Sequence, residues 1–286
     1  MTTDYSYLCC TSSKSAPLQW KNPLVGETQE YSVSDCCAIL IEYQNDSSPN
    51  IHPPESVKIK HWWNRKWQVC LDYYLASPAP QITAVKSTFA ACPPIDIALP
   101  KQRPEEQLSL VESLLERKTH RKFQDFPLAL DIFAALLAEL TDELFAGIWR
   151  YYLILFNVEG VYPGIYRYHP HAQGLSLIKE GLFREEAVKL LCGMSASLTA
   201  SFLVVLSIDI QEAMQSFPYS RALREIYIDS GRLAQKLLLK GMQYHVGGLP
   251  SPAMRDTPMC TFLNLDLNQC IPLYTLTMGI IPKRDL

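Results

Sequence analysis

Residues Glu116 to Phe123 read ERKTHRKF, so Arg117, Lys118, Arg121 and Lys122 surround Thr119 and His120. Two chemistries fit this octet. Cations that close an apolar helical pattern complement the negative end of the helix dipole. The same groups suit a dianionic phosphate, which takes several charge-assisted donors from guanidinium forks and a threonine hydroxyl. Overall charge does not explain the cluster, because the chain carries a formal net charge of −3 with a pI near 6.1.

Other reactive residue types point less far. The nine cysteines are Cys9, Cys10, Cys36, Cys37, Cys70, Cys92, Cys192, Cys260 and Cys270, an odd set without C-x-x-C spacing. That pattern is no disulfide framework. The adjacent pairs Cys9/Cys10 and Cys36/Cys37 offer four thiolates, but neighbours rarely both reach one tetrahedral ion, so no metal site is expected. His169 and His171 flank Pro170 on a hairpin turn and read as exposed loop residues. Trp62, Trp63 and Trp67 lie beside Lys58, Lys60, Arg65 and Lys66. This cluster is either a peptide-docking surface or, more commonly, part core and part solvated edge.

The elements that must carry these groups follow from periodicity. With 286 residues and 48% hydrophobic content, the chain can bury a full core. Proline- and alanine-rich sequence from LASPAP to ALPKQRP breaks periodicity, which sets a boundary between residues 1–103 and 104–286. Before it lie turn-rich stretches and two strand candidates, CAILIEY and WQVCLDYYL. After it, Pro104, Glu105 and Glu106 open a helix whose apolar stripe is Leu108, Val111, Leu114 and Leu115. The octet then connects to a second helix in DFPLALDIFAALLAEL. RYYLILFNV and ASFLVVLSIDI read as buried strands, GIYRYHP and GLSLIKEG as a hairpin, and REEAVKLLCGM as a helix. A long helix is expected from about Ser220 to Gly241, with Leu223, Tyr227, Leu233, Leu237 and Leu238 near one face. Gly247 and Gly248 then read as a turn, and IPLYTLTMGII as the last strand. Interleaved helices and strands around a hairpin define an α+β sheet packed by helices, and there is no G-x-G-x-x-G.

Charge and composition argue against nucleic acid as a partner. The N-terminal MTTDYSYLCCTSSKSAP lacks a signal-peptide pattern and ASFLVVLSIDI is too short to span a bilayer, so the expectation is a cytoplasmic protein without a membrane partner.

Within residues 104–286 the sequence resembles nitroreductase-fold flavoenzymes, and most closely the SagB-type dehydrogenase family. Arg117, Thr119, Arg121 and Phe123 match that family's R-x-S/T-x-R/K-x-F motif after its first helix. VEGVYPGIYRYHPHAQGLSLI, SFPYSRALREIYIDSGRLAQKLLLKGM and LYTLTMG follow in the family's order. The resemblance implies a nitroreductase-like mixed sheet with a divergent N-terminal region. It also implies that Arg117, Thr119 and Arg121 hold the phosphate and ring edge of FMN, with Lys283 and Arg284 closing on the phosphate.

The implied activity is an FMN-dependent oxidoreductase that oxidises a peptide-derived or natural-product intermediate, such as an azoline, by hydride transfer to flavin. A homodimer is expected, with each flavin touched by both chains, and partner proteins of a biosynthetic complex are possible on this reading. Tyr219 matches the tyrosine used beside the flavin and is the candidate catalytic group, but Pro218 replaces the usual preceding lysine. Arg221 and Arg224 fall where the family places an active-site arginine; a surface ion pair with Glu225 or Asp229 is the alternative. The family's Pro-Ser segment before the first buried strand is replaced by TDELFAGIWRYYLIL, where Gly147 would still permit close backbone approach to the flavin. The usual Glu-Ala-Gly-His of the long helix is Asp229-Ser230-Gly231-Arg232, and Arg232 reads as solvated or as facing the site. These departures leave a second reading open: a flavin-poor partner or scaffold in a peptide-modifying complex. A broad NAD(P)H-driven reductase fits the motifs less well.

Overall fold

The computed structural model describes residues 7–9, 18–21, 28–31, 94–140, 147–217, 221–266 and 269–282. The chain divides into two units, 1–82 with 219–221, and 83–218 with 222–286. In the first, β1 (Tyr7–Cys9), β2 (Leu18–Lys21) and β3 (Thr28–Tyr31) form an antiparallel sheet in which Tyr7 pairs with Lys21 and Leu18 with Tyr31. The strands expected in CAILIEY and WQVCLDYYL and the tryptophan cluster lie outside the described residues.

The second unit is built on one seven-stranded sheet. Its described elements are β4 (Ile97–Ala98), α1 (Leu110–Glu116), α2 (Leu130–Leu137), β5 (Trp149–Leu155), β6 (Gly164–His169), β7 (Gly174–Glu180), α3 (Arg184–Leu190), β8 (Phe202–Asp209), α4 (Ile210–Ser216), α5 (Arg221–Met242), β9 (Val246–Ser251), α6 (Asp256–Phe262) and β10 (Cys270–Ile280). The strand order is β4-β7-β6-β5-β8-β10-β9, and each neighbouring pair runs antiparallel.

Strands β5 and β8 read as continuous apolar runs because both of their faces are covered. On one face Leu153, Leu155, Val204 and Leu206 pack with Phe133 of α2 and Leu233 and Leu237 of α5. On the other, Tyr152, Ile154, Leu203 and Val205 pack with Ala187 of α3 and Met259 of α6. Phe133 meets Phe202 edge-on, with ring centroids 5.1 Å apart, the arrangement that aromatic quadrupoles favour.

Helix α5 fixes the two ends of the site. It has 22 residues and therefore runs about 33 Å. In its first half, Asp229 accepts a hydrogen bond from Trp149 Nε1 at the beginning of β5. Its other end turns through Tyr244 and His245 directly into β9, where Val246 pairs with Ile280.

Several expectations are corrected here. The first helix starts at Leu110, because Ser109 caps it in a reciprocal box with Glu112, while Gln107 N and Leu108 N donate to Gln243 O instead of joining a helix. Of the expected stripe, Leu108 precedes the helix and is half-buried, while Val111, Leu114 and Leu115 face solvent at 66, 53 and 81% exposure together with Leu110 at 55%, and Ser113 is the buried residue. Leu223 and Tyr227 are likewise exposed, unlike Leu233 and Leu237. Gly247 and Gly248 lie within β9, not in a turn. His169 ends β6 and is 8% exposed, so it belongs to the sheet, not to an exposed loop.

Candidate functional site

The octet leaves α1 at Arg117 and crosses the end of the sheet. Thr119 bridges Gly248 in parallel, and His120 N donates to Gly248 O at 3.0 Å on the outer side of β9. Farther on, Phe123 N donates to Thr199 Oγ1 at 3.1 Å and Gln124 N to Ile280 O at 2.8 Å. The crossing needs bare backbone beneath it. Gly247 and Gly279 face each other across β9 and β10, and a Cβ at Gly247 would come within 2.5 Å of His120 Nδ1. One at Gly279 would lie 2.8 Å from Phe123 Cβ. Arg184 steadies the exit, donating to the carbonyls of Leu198 and Ala200 on either side of Thr199 and pairing with Asp125 at 3.2 Å.

The cations are thus displayed on a pinned segment. Lys118, Arg121 and Lys122 are exposed, as is Thr119, and Arg117 is half-buried. None of the four cations has an ion pair or hydrogen bond with a side-chain acid among the described residues. Helix-dipole complementation does not require so many unpaired like charges, whereas a phosphate would neutralise them. A cavity of about 250 Å³ adjoins the octet's exit, bounded by Gln107, Gln124, Pro127, Tyr244, His245 and Ile280.

Gly147 lies at the other end of the sheet. It precedes β5, where Trp149 pairs with Ile208, whereas the octet lies beside Met278, which pairs with Phe202. Leu155 also pairs with Phe202, so the two ends are separated by the length of β5, roughly 20 Å at a strand's rise per residue. Gly147 has φ +93° and its carbonyl accepts from Arg150 Nη1 at 2.5 Å. Arg150 also pairs with Glu212 at 2.5 Å, while Asp209 caps α4 through Gln211 N and Glu212 N.

The two segments that depart from the family pattern meet at this end. Trp149 donates to Asp229 Oδ2 at 3.2 Å, and Arg232 Nε donates to Asp229 Oδ1 at 2.5 Å. Arg232 is therefore paired with a buried carboxylate, not simply solvated. Arg224, about two turns before Arg232 on α5, is exposed.

The structure consequently separates the expected site residues into two groups. Arg117, Thr119 and Arg121 stand at the β9–β10 end, and Gly147 and Arg224 at the β5 end. Tyr219, Lys283, Arg284 and the side chain of Arg221 lie outside the described residues. The sequence reading missed the glycine pair and the Trp149–Asp229 link; G-G at 247–248 and the glycine before Ile280 were the available signals for the first.

Several other titratable groups toward the β5 end are shifted toward their neutral forms. Burial pushes Tyr152 up to about 12, reinforced by Cys270, and raises the Cys260 and Cys270 thiols. His169 is pushed down to about 4 by burial and by Arg167 and Arg150. Ser176 Oγ donates to Pro94 O at 2.6 Å, so its 3.1 Å contact with His169 Nε2 has the imidazole as donor. Among the described residues no group of three or more His, Cys, Asp or Glu is arranged for a metal ion, and no helix is long and apolar enough to cross a membrane.

The architecture is a nitroreductase-like fold. A solved Anabaena variabilis protein assigned to the nitroreductases superposes with a TM-score of 0.56 at 22% identity, over 60% of this chain and 38% of that one. Another such protein, from Ralstonia eutropha, gives 0.54 at 19% identity over 73% and 99%. Among curated proteins, Trifolitoxin operon protein TfxC of Rhizobium leguminosarum bv. trifolii is 29% identical over 117 residues. That match spans 41% of this chain and about a third (32%) of the relative's length. No family model matches the chain.

Proposed function

We propose that the protein is an FMN-dependent oxidoreductase of the SagB dehydrogenase type, acting on an azoline or similar group in a peptide-derived substrate. The observation that carries this reading is the octet, a backbone-anchored run of four cations, three of them exposed, without acidic partners among the described residues, on a nitroreductase-like fold. Similarity to a trifolitoxin operon protein supports a natural-product setting and, with it, partner proteins of a biosynthetic complex.

On this reading Arg117, Thr119 and Arg121 bind the cofactor phosphate, with Lys283 and Arg284 as further cations. When bound, the flavin supplies the hydride acceptor. The Gly247–Gly279 crossing holds the octet's backbone so that the donors are pre-arranged. Tyr219 is the proposed proton acceptor at its phenol oxygen, since Pro218 has no group to take a proton. Gly147 and Arg224 serve a flavin reached from the other end of the sheet, which is why the active unit is a homodimer.

The test is an absorption spectrum of the purified protein with the released chromophore identified, followed by an FMN titration. Stoichiometric FMN is expected. Absence of binding when FMN is supplied sinks the reading. The flavin-poor scaffold then takes its place, a reading favoured by the capture of the Gly147 carbonyl by Arg150.

A further inference from the structure

The cavity beside the octet's exit has features that phosphate binding does not use. Its volume is about 250 Å³, below the range of about 300–1,000 Å³ found for pockets that enclose a drug-sized ligand. It therefore fits one residue-sized group and is too small for a whole flavin. Pro127, Leu128, Ile132, Ile280 and Ile281 form its apolar wall, and no acid, lysine or arginine lines it among the described residues. A charged group would lose its hydration there without gaining a counter-ion.

Two carboxamides also line it. Gln107 is exposed and Gln124 half-buried, and neither side chain has a hydrogen-bond partner among the described residues. Their backbones are nonetheless fixed: Gln107 N donates to Gln243 O and Gln124 N to Ile280 O, both at 2.8 Å. A carboxamide combines an acceptor oxygen with two N–H donors, the complement of a peptide group. Tyr244 is already engaged, since its hydroxyl donates to Pro104 O at 3.1 Å. The turn from α5 to β9 passes through His245 with φ +54°, a left-handed conformation that is unfavourable for an ordinary L-residue. This strained position puts an imidazole on the cavity wall, where glycine would make the turn without strain.

We infer that the cavity selects the substrate: it receives a neutral five-membered ring with an adjoining peptide group, the ring against Ile132 and Ile280 and the peptide group between the Gln107 and Gln124 amides. His245 positions the ring from the turn. The inference rests on the proposed oxidation of an azoline-like group and adds the residues that choose that group. The compact ring follows from the volume, and its lack of charge from the lining. A cofactor on the octet and a substrate in this cavity are neighbours, because Gln124 lies three residues beyond Arg121.

N-acetyl-L-proline N-methylamide is a stable probe of this class, a five-membered ring flanked by two peptide groups. Its binding to the full chain is followed by ligand-observed NMR, with the N-methylamides of N-acetyl-L-aspartate and N-acetyl-L-lysine as charged controls. The proline probe is expected to saturate at millimolar concentration, as suits a fragment, and the charged probes to bind at least about tenfold more weakly. Gln107→Leu and Gln124→Leu should each weaken the proline probe about fivefold, as loss of a neutral hydrogen bond does. Ile132→Trp, which fills the cavity, should abolish binding. All three variants should match wild type in far-UV circular dichroism and in FMN affinity, and the exposed Gln107 keeps the test decisive if Ile132→Trp does not fold. No saturable binding of the proline probe, equal binding of the charged probes, or glutamine variants that bind as wild type overturn the pocket. Displacement of the probe by FMN, or variants that weaken FMN as well, make the cavity part of the flavin seat and overturn it too. If the probe and variants behave as stated but no form binds FMN, the pocket stands and the flavin reading fails.

Discussion

Trp149 donates its indole N–H to the carboxylate of Asp229 across 3.2 Å, although the two residues come from opposite halves of the second unit's sequence. Asp229 is 3% exposed and is also held by Arg232. Asp229 stands where the sequence pattern that the chain resembles has glutamate, and it takes up the indole donor of Trp149. Asp229→Ala leaves the indole donor buried and unpaired and should destabilise the protein by about 1–3 kcal/mol. Trp149→Phe keeps Asp229 with Arg232 and should cost less through its lost hydrogen bond, about 1 kcal/mol. Urea denaturation of both variants measures the difference; equal losses would show that the hydrogen bond is not what holds the pair.

Arg117→Ala and Arg121→Ala should each weaken FMN binding by about 1.5–3 kcal/mol, the worth of a charge-assisted hydrogen bond. Lys118→Ala and Lys122→Ala should each cost under about 1 kcal/mol, as expected for exposed charges acting at a distance. Flavin fluorescence titration separates these classes. Uniform small losses across all four would mean general attraction without a phosphate contact.

Gly247→Ala and Gly279→Ala place a methyl against His120 and Phe123, respectively. Each should destabilise the fold by about 1–3 kcal/mol as overpacking does, and each should weaken FMN binding by displacing the octet. Thermal unfolding and titration on the same samples check both effects. Tight flavin binding in a destabilised Gly247→Ala would detach the octet's position from its function.

His169 predicts a pH dependence. Its folded pKa is pushed down to about 4, against about 6.5 in an unfolded chain. Between those values the unfolded state binds more protons, so stability rises with pH. The contribution is full above about pH 6.5 and is lost as pH falls toward 4, on the order of 3 kcal/mol. His169→Gln keeps a donor toward Ser176 and should flatten this slope in denaturation curves taken from pH 4 to 7. An unchanged slope would assign it to other groups.

Much of the sheet was legible in the sequence, because β5, β8 and β10 are long apolar runs whose period needs no distant information. The long helix was equally plain. Helix α1 was found but its orientation was misread: periodicity locates an apolar stripe without saying whether the same chain covers it. Strand β9 was hidden by Gly247 and Gly248, residues that weaken strand propensity and here serve a crossing that only the tertiary structure reveals. The octet's chemistry was readable, while its separation from Gly147 was not, since sequence order carries no record of which sheet end a residue occupies.

The Gly247–Gly279 crossing also has a consequence for biosynthesis. The octet is synthesised before β9 and β10, whose surface shapes it. A nascent polypeptide therefore has the cations long before it has their seat, and these distant contacts are among the slowest kind to form. Under the proposed function, a flavin that recognises only the finished arrangement of octet, β9 and β10 draws the folding equilibrium toward it by mass action.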